Sequence, residues 1–156
     1  MNVTKILQVE NGTHVEHARL LFREYEDWLG VSLCFQGFDE ELAGLPGKYA
    51  MPAGRLLLAY SDSDLAGCVA FRALDEDTCE IKRLFVRDRF QGQGLGRILL
   101  EKLIDEARIA GYEKMRLDSW IPRMGKAIGM YRSHGFYEIE PYNENPYEMI
   151  FMELIL

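Results

Sequence analysis

The chain has 156 residues, 48% of them apolar and 12% aromatic, and carries a formal net charge of −7. That is enough apolar side chain to close a core without disulfides or a metal, and too much for a disordered chain. The negative balance argues against nucleic acid or an anionic membrane surface as the main partner, and suits either a cationic, amine-bearing substrate or plain solubility.

The opening MNVTKILQVENGT lacks the basic and long apolar regions of a signal peptide, and no apolar run approaches the ~20 residues of a membrane span. A cytoplasmic protein is expected. Cys34, Cys68 and Cys79 are odd in number and lack CxxC spacing, and His14, His17 and His134 are scattered, so neither a disulfide framework nor a metal site is predicted.

In chain order, Val3 to Val9 alternates weakly and predicts a short strand ended by Glu10-Asn11-Gly12. Thr13 is expected to cap a helix reaching about Leu29, with Val15, Ala18, Leu21 or Phe22, Tyr25 and Trp28 on one stripe and Gly30 as its stop. From Val31 to Ala53 aromatics mix with chain breakers around an acidic helical turn, Asp39-Glu40-Glu41-Leu42. This mixture fits a substrate-facing loop or a plain connection equally well. Arg55 to Tyr60 and Leu65 to Leu74 predict a hairpin, and Thr78 to Val86 a third strand. The continuous apolar run Cys68 to Phe71 requires helices on both faces of the sheet. A helix is expected from about Gln93, with Leu95, Leu99, Leu103, Ala107 and Ala110 inward and Gly111 at its end. Met115 to Ser119 reads as a strand, Arg123 to Ser133 as a short helix, and two last strands flank the breaker-rich Pro141 to Pro146, Met149 to Leu156 being the clearer. Without repeats or linkers, residues 1–156 read as one domain.

The third strand runs into Gln91-Gly92-Gln93-Gly94-Leu95-Gly96, with a glycine at every second position before a helix. Glycine permits close backbone approach and positive φ, and a helix start offers unpaired N–H groups, so a phosphate or pyrophosphate ligand is predicted. A triphosphate P-loop needs Gly-Lys-Ser/Thr, whereas Arg97-Ile98 follows Gly96. A G-x-G-x-x-G dinucleotide fingerprint fails too, since its third place falls on Arg97 or Leu99.

What remains resembles the Q/R-x-x-G-x-G/A signature of the GNAT superfamily of acyl-CoA-dependent N-acetyltransferases, with Gln91, Gly94 and Gly96 in its places; Arg89, Gly92 and Gly94 fit it as well. Ala127, Tyr131, Gly135 and Phe136 resemble the superfamily's A-x-x-x-Y-x-x-x-G-F element, and Leu21 to Tyr49 is similar to a stretch of small bacterial members. The resemblance implies an α/β fold with a mostly antiparallel, splayed sheet flanked by helices. It also implies direct transfer of acetyl from acetyl-CoA to the primary amine of a small molecule or peptide, by a monomer or homodimer.

Residue by residue, the resemblance puts the backbone of Gln91, Gly92, Gln93, Gly94, Leu95, Gly96 and Arg97 around the pyrophosphate, with the Arg89 and Arg97 side chains adding charge. Leu84, Phe85 and Val86 would lie along the pantetheine arm, the Leu84 N–H would face the thioester oxygen, and Ser119 would hydrogen-bond the arm. Glu80, on one face with Lys82 and Leu84 by strand alternation, becomes the general base, a mere pairing with Lys82 being the competing reading. Tyr131 becomes the proton donor to the leaving thiolate. Alternation sends Cys79 to the opposite face, which leaves it out as an acyl carrier. The first helix and its loop cover the sheet's open side in the superfamily, which points to Glu24, Tyr25, Trp28, Phe35 and Phe38 for the acceptor pocket, although an amphipathic helix explains the first three equally well. The alternative function is an acyl-CoA-binding sensor without turnover, and the presence of both Glu80 and Tyr131 speaks against it.

Overall fold

The structure, a computed structural model, describes residues 4–33 and 37–156. Its strands are β1 (Thr4–Gln8), β2 (Arg55–Ser61), β3 (Asp64–Ala73), β4 (Thr78–Val86), β5 (Lys114–Trp120), β6 (Tyr137–Glu138) and β7 (Met149–Ile155). Its helices are α1 (Gly12–Leu29), α2 (Phe38–Ala43), α3 (Leu95–Ile109) and α4 (Gly125–Ser133), with 3-10 turns at Gly47–Tyr49 and Asp88–Phe90. The strands form one sheet in the order β1-β2-β3-β4-β5-β7-β6, and only β4 and β5 run parallel. The expected α/β fold, mostly antiparallel with helices flanking, is the one observed.

Three boundaries depart from expectation. Helix α1 begins at Gly12 after Asn11 and has no side-chain cap, so Thr13 lies inside its first turn. Helix α3 begins at Leu95, because Gly94 sits at φ 79, outside the right-handed region. Helix α4 begins at Gly125 rather than Arg123.

Strands β2 and β3 are buried on both faces because helices cover each side. Helix α1 buries Ala18, Leu21, Phe22 and Leu29, and its Tyr25 and Trp28 rings meet Phe85. Helix α3 buries Leu95, Leu99, Leu100, Leu103, Ile104 and Ala107 on the other side. Gly67 lets it come close: a Cβ there would meet Leu99 Cδ1 at 3.4 Å and the Phe85 carbonyl at 2.7 Å. Each such leucine contributes about 1.5–3 kcal/mol by leaving water.

Two irregularities in β4 shape everything that follows. Lys82 lies opposite Ala70 and Phe85 opposite Cys68, so Arg83 and Leu84 together face Val69 in a β-bulge. Glu80, Lys82 and Phe85, opposite Arg72, Ala70 and Cys68, therefore share a face, and Leu84 leaves it. This corrects the alternation expected from the sequence, which put Leu84 with Glu80 and Lys82. Arg83 carries the bulge at φ 62, a conformation costing a non-glycine residue about 1–2 kcal/mol. Its buried guanidinium is clamped by Glu41 of α2 (Nε–Oε2 2.9 Å, Nη2–Oε1 3.0 Å) and lies over Phe38, 5.1 Å from the ring centre.

The second irregularity is a split. Parallel pairing of β4 with β5 stops at Glu80 and Arg116, whereas β5 stays paired with β7 through Trp120. Beyond that point Ile81–Val86 and Leu117–Trp120 diverge, and the bulge supplies the local twist that turns β4 away.

Candidate active site

Three adjoining spaces occupy the split. On the side of the glycine loop lies a groove of about 670 Å³, lined by Leu84, Phe85, Val86, the loop, α4 and Trp28. A narrow crevice of about 50 Å³ follows between the parted strands and shares Leu84 and Met124 with the groove. Beyond it is a cavity of about 200 Å³ that shares Lys82, Asp118 and Asn145 with the crevice. The three spaces thus adjoin one another where β4 and β5 part.

The groove has the chemistry that suits an anion. Gly92 and Gly94 both take left-handed φ, 81 and 79, so the loop's conformational demand sits at these two positions. Gly96 does not need positive φ; it keeps the first turn of α3 bare beside Val86. Helix bonding begins with Ile98 N–H donating to the Gly94 carbonyl at 3.1 Å, which leaves the N–H groups of Leu95, Gly96 and Arg97 directed at the groove end. The Gln91 side chain donates to the Val86 carbonyl at 2.9 Å, tying the loop to the end of β4. Although the chain's net charge is −7, the groove lining holds three cations, Arg97, Arg123 and Lys126, and no carboxylate. Arg123 is fixed over Trp28, 4.7 Å from its ring, and donates to the Trp28 carbonyl. Arg89 instead pairs with Asp64 in solvent, and Gln93 is exposed outside the groove lining.

At the crevice, Tyr131 is buried to 3% exposure and packs on Phe136. Burial holds its phenol well above the usual range, so it stays protonated at neutral pH. Ser119 Oγ is buried, lines the crevice and has no hydrogen-bond partner among the described residues. An orphaned buried hydroxyl costs about 1–3 kcal/mol, which a polar ligand there would remove. Pantetheine amides fit that need, as a pyrophosphate fits the loop and its cations.

Glu80 is 1% exposed and fully engaged. One oxygen accepts from Arg72 Nε (3.2 Å) and faces Lys82 Nζ (3.5 Å), and the other accepts from the Tyr142 hydroxyl (2.6 Å). Lys82 also lies 3.5 Å from Asp118, whose second oxygen accepts from Asn143 at 3.0 Å. Burial, then the Glu80 charge, raises the pKa of Tyr142. Cys79 is buried behind this face, and burial pushes its thiol up to about 12, which leaves little thiolate.

The acceptor candidates scatter. Tyr25 lines the crevice, its pKa raised by burial to about 12, and Trp28 lines the cofactor groove. Glu24 lies elsewhere, held by Arg87 through two bonds of 2.8 and 2.7 Å, and Phe38 is core beneath Arg83. Phe35 lies outside the described residues. Sequence reasoning missed Lys48, Arg72, Asp118, Tyr142, Asn143, Arg123 and Lys126. Only Asp118, beside the chosen Ser119, and the Asn143-Glu144-Asn145 run gave any local signal.

The model of the acetyltransferase (GNAT) family matches residues 13–136. An uncharacterized N-acetyltransferase of Schizosaccharomyces pombe is 37% identical, covering 87% of this chain and 85% of its own length. One of Dictyostelium discoideum is 33% identical, with 88% and 92% covered. Among solved structures, an acetyltransferase from Streptococcus agalactiae shares the fold at TM-score 0.81, with 19% identity and 98% of each chain covered. A GNAT family acetyltransferase from Elizabethkingia anophelis, solved with acetyl-CoA bound, superposes at TM-score 0.71, with 24% identity and 98% of each chain covered. With glycine loop, split sheet and crevice tyrosine in place and the family model spanning most of its length, this chain belongs to the GNAT family of acetyltransferases.

Proposed function

We propose that the protein transfers acetyl from acetyl-CoA, held in the groove, directly to a primary amine that enters from the cavity on the other side of the sheet. The observation that carries this reading is the row of adjoining spaces at the split, with a cationic groove at one end, Ser119 and Tyr131 in the crevice, and a polar cavity at the other. Acetyl-CoA is the acyl donor of this family. Here the loop N–H groups with Arg97, Arg123 and Lys126 would bind its phosphates, Leu84 to Val86 its pantetheine arm, and Ser119 one of its amides.

The amine nitrogen attacks the thioester carbonyl carbon, and a backbone N–H of β4 at the bulge, most directly that of Leu84, would face the oxygen that gains charge. The C–S bond breaks as the C–N bond forms. Tyr131 gives its proton to the departing sulfur and recovers one from solvent. The amine proton leaves to water in the cavity between Glu80 and Asp118. Glu80 acts here by fixing Arg72, Lys82 and Tyr142 and by attracting that proton. A cytoplasmic setting, where acetyl-CoA is at hand, belongs to this reading.

The test is release of free thiol from acetyl-CoA on adding a pool of small amines, with the intact mass of the protein followed in parallel. Thiol release that needs an amine, with the protein's mass unchanged, is expected. An acetylated chain formed before acceptor is added would overturn direct transfer, and release from no amine would overturn the enzyme reading.

A further inference from the structure

The cavity beyond the crevice holds three cations, Lys48, Arg72 and Lys82, and three carboxylates, Glu80, Asp118 and Glu144. Its acids and bases are not equally free. Glu80 is taken by Arg72, Lys82 and Tyr142, and Asp118 by Lys82 and Asn143, so both inner carboxylates are already matched by donors. Glu144 lies exposed at the rim.

The donors with capacity left are cationic. Arg72 uses Nε on Glu80 and Nη1 on the Ala73 carbonyl, which leaves Nη2 without an acceptor among the described residues. The Lys48 ammonium has one carboxylate, Glu41 at 3.2 Å, for three N–H bonds. Burial lowers the Lys48 pKa most, and Arg83 and Arg72 push the same way against the pull of Glu41, so another negative charge is favoured there. A dicationic substrate, which the net charge of the chain alone would suggest, meets these two cations first.

We propose that the acceptor is a small amino acid, an amine that carries its own carboxylate. The carboxylate rests on Arg72 and Lys48, and the amine lies toward Asp118 and Asn145, which with Lys82, itself paired to Asp118, are the residues that the cavity shares with the crevice. A bidentate or paired cation contact with a carboxylate is the strong, oriented kind, and fixing one end of so small a molecule aims the other. A peptide N-terminus has an amide where this site offers cations, and is disfavoured.

This inference rests on the acetyltransfer reading, and the experiment separates the two. With saturating acetyl-CoA, thiol release is measured for a set of small amino acids, their carboxamides, and the amines left by removing the carboxyl group. The acids are expected to lead their amides by on the order of tenfold or more in kcat/KM. Arg72→Gln and, separately, Lys48→Gln should raise KM for the acid by about as much, and Lys48→Gln should leave that for the amide nearly unchanged. Lys48→Gln leaves every partner of Glu80 in place, and retained thermal protection by coenzyme A reports an intact fold. Amides or decarboxylated amines used as well as the acids, or a preference that survives both substitutions, would overturn this proposal alone. No thiol release with any amine tried, while coenzyme A still protects, would overturn the acetyltransfer reading and this one with it.

Discussion

The groove and the cavity both adjoin one split, yet they offer a ligand groups of different kinds. In the groove the groups on offer are backbone N–H of the glycine loop and the bare edge of β4, with three cations and no acid in the lining. In the cavity the binding groups are side chains from several separate segments, interlocked by ion pairs before any ligand arrives. A cofactor common to a whole family is held by geometry that any sequence with the right glycines can supply. An acceptor particular to one member is held by side chains that can change one at a time.

Tyr131 stands between the two halves, and its loss should give the largest effect. Tyr131→Phe is expected to lower kcat about 10²-fold or more while the dissociation constant of acetyl-CoA stays put, as calorimetry and steady-state rates together would show. A normal kcat would remove the proton-donor role. Next, Glu41 serves both halves, since it clamps the Arg83 bulge and holds Lys48 at the cavity. Glu41→Gln leaves a buried guanidinium under-compensated, and about 3–5 kcal/mol of stability should go with it. In a chain of this size that is on the order of 6–20 °C in melting temperature. A loss under ~1 kcal/mol would mean that the bulge holds itself.

Gly94→Val strikes the groove alone. At φ 79 a β-branched residue is strained, and coenzyme A should bind roughly tenfold weaker or worse while KM for the acceptor is unchanged. Equal damage to both constants would dissolve the contrast between the halves. The smallest effect concerns the support behind the groove. His134, at the end of α4, meets Glu101 of α3 at 2.9 Å, and this bond, then its bond to the Met130 carbonyl, raises its pKa above the ordinary 6.5. A raised folded value means that the stabilisation is complete below pH 6.5 and fades as pH climbs through the folded pKa. Glu101→Gln should flatten that slope in melting temperature against pH; an unchanged slope would place the effect elsewhere.

The same division explains what could be read from the sequence. The glycine spacing, the strand before it and the Ala127 to Phe136 element are local patterns, so the cofactor half was legible. The bulge was not, because Ile81-Lys82-Arg83-Leu84-Phe85-Val86 contains no glycine, and its adjacent Lys82-Arg83 pair and apolar Leu84-Phe85-Val86 run do not say which residue is the extra one. Only the pairing with β3 reveals it. Nor can a helical stripe separate Phe38, which is core, from Tyr25, which lines the crevice, since both are aromatic at apolar positions. Lys48, Arg72, Asp118 and Asn143 come from four segments that only the fold brings together.

A parted sheet has one further consequence. Past Glu80 the facing edges of β4 and β5 lack the ladder that would shield their amides, so in the free protein Ile81–Val86 and Leu117–Trp120 should trade hydrogen for deuterium sooner than β2 or β3. On the proposed reading, a pantetheine arm lying in the gap would be, for the length of one turnover, a temporary eighth strand. Letting go of coenzyme A would then mean unzipping part of the sheet, and the reopening of that seam would enter the pace of the cycle.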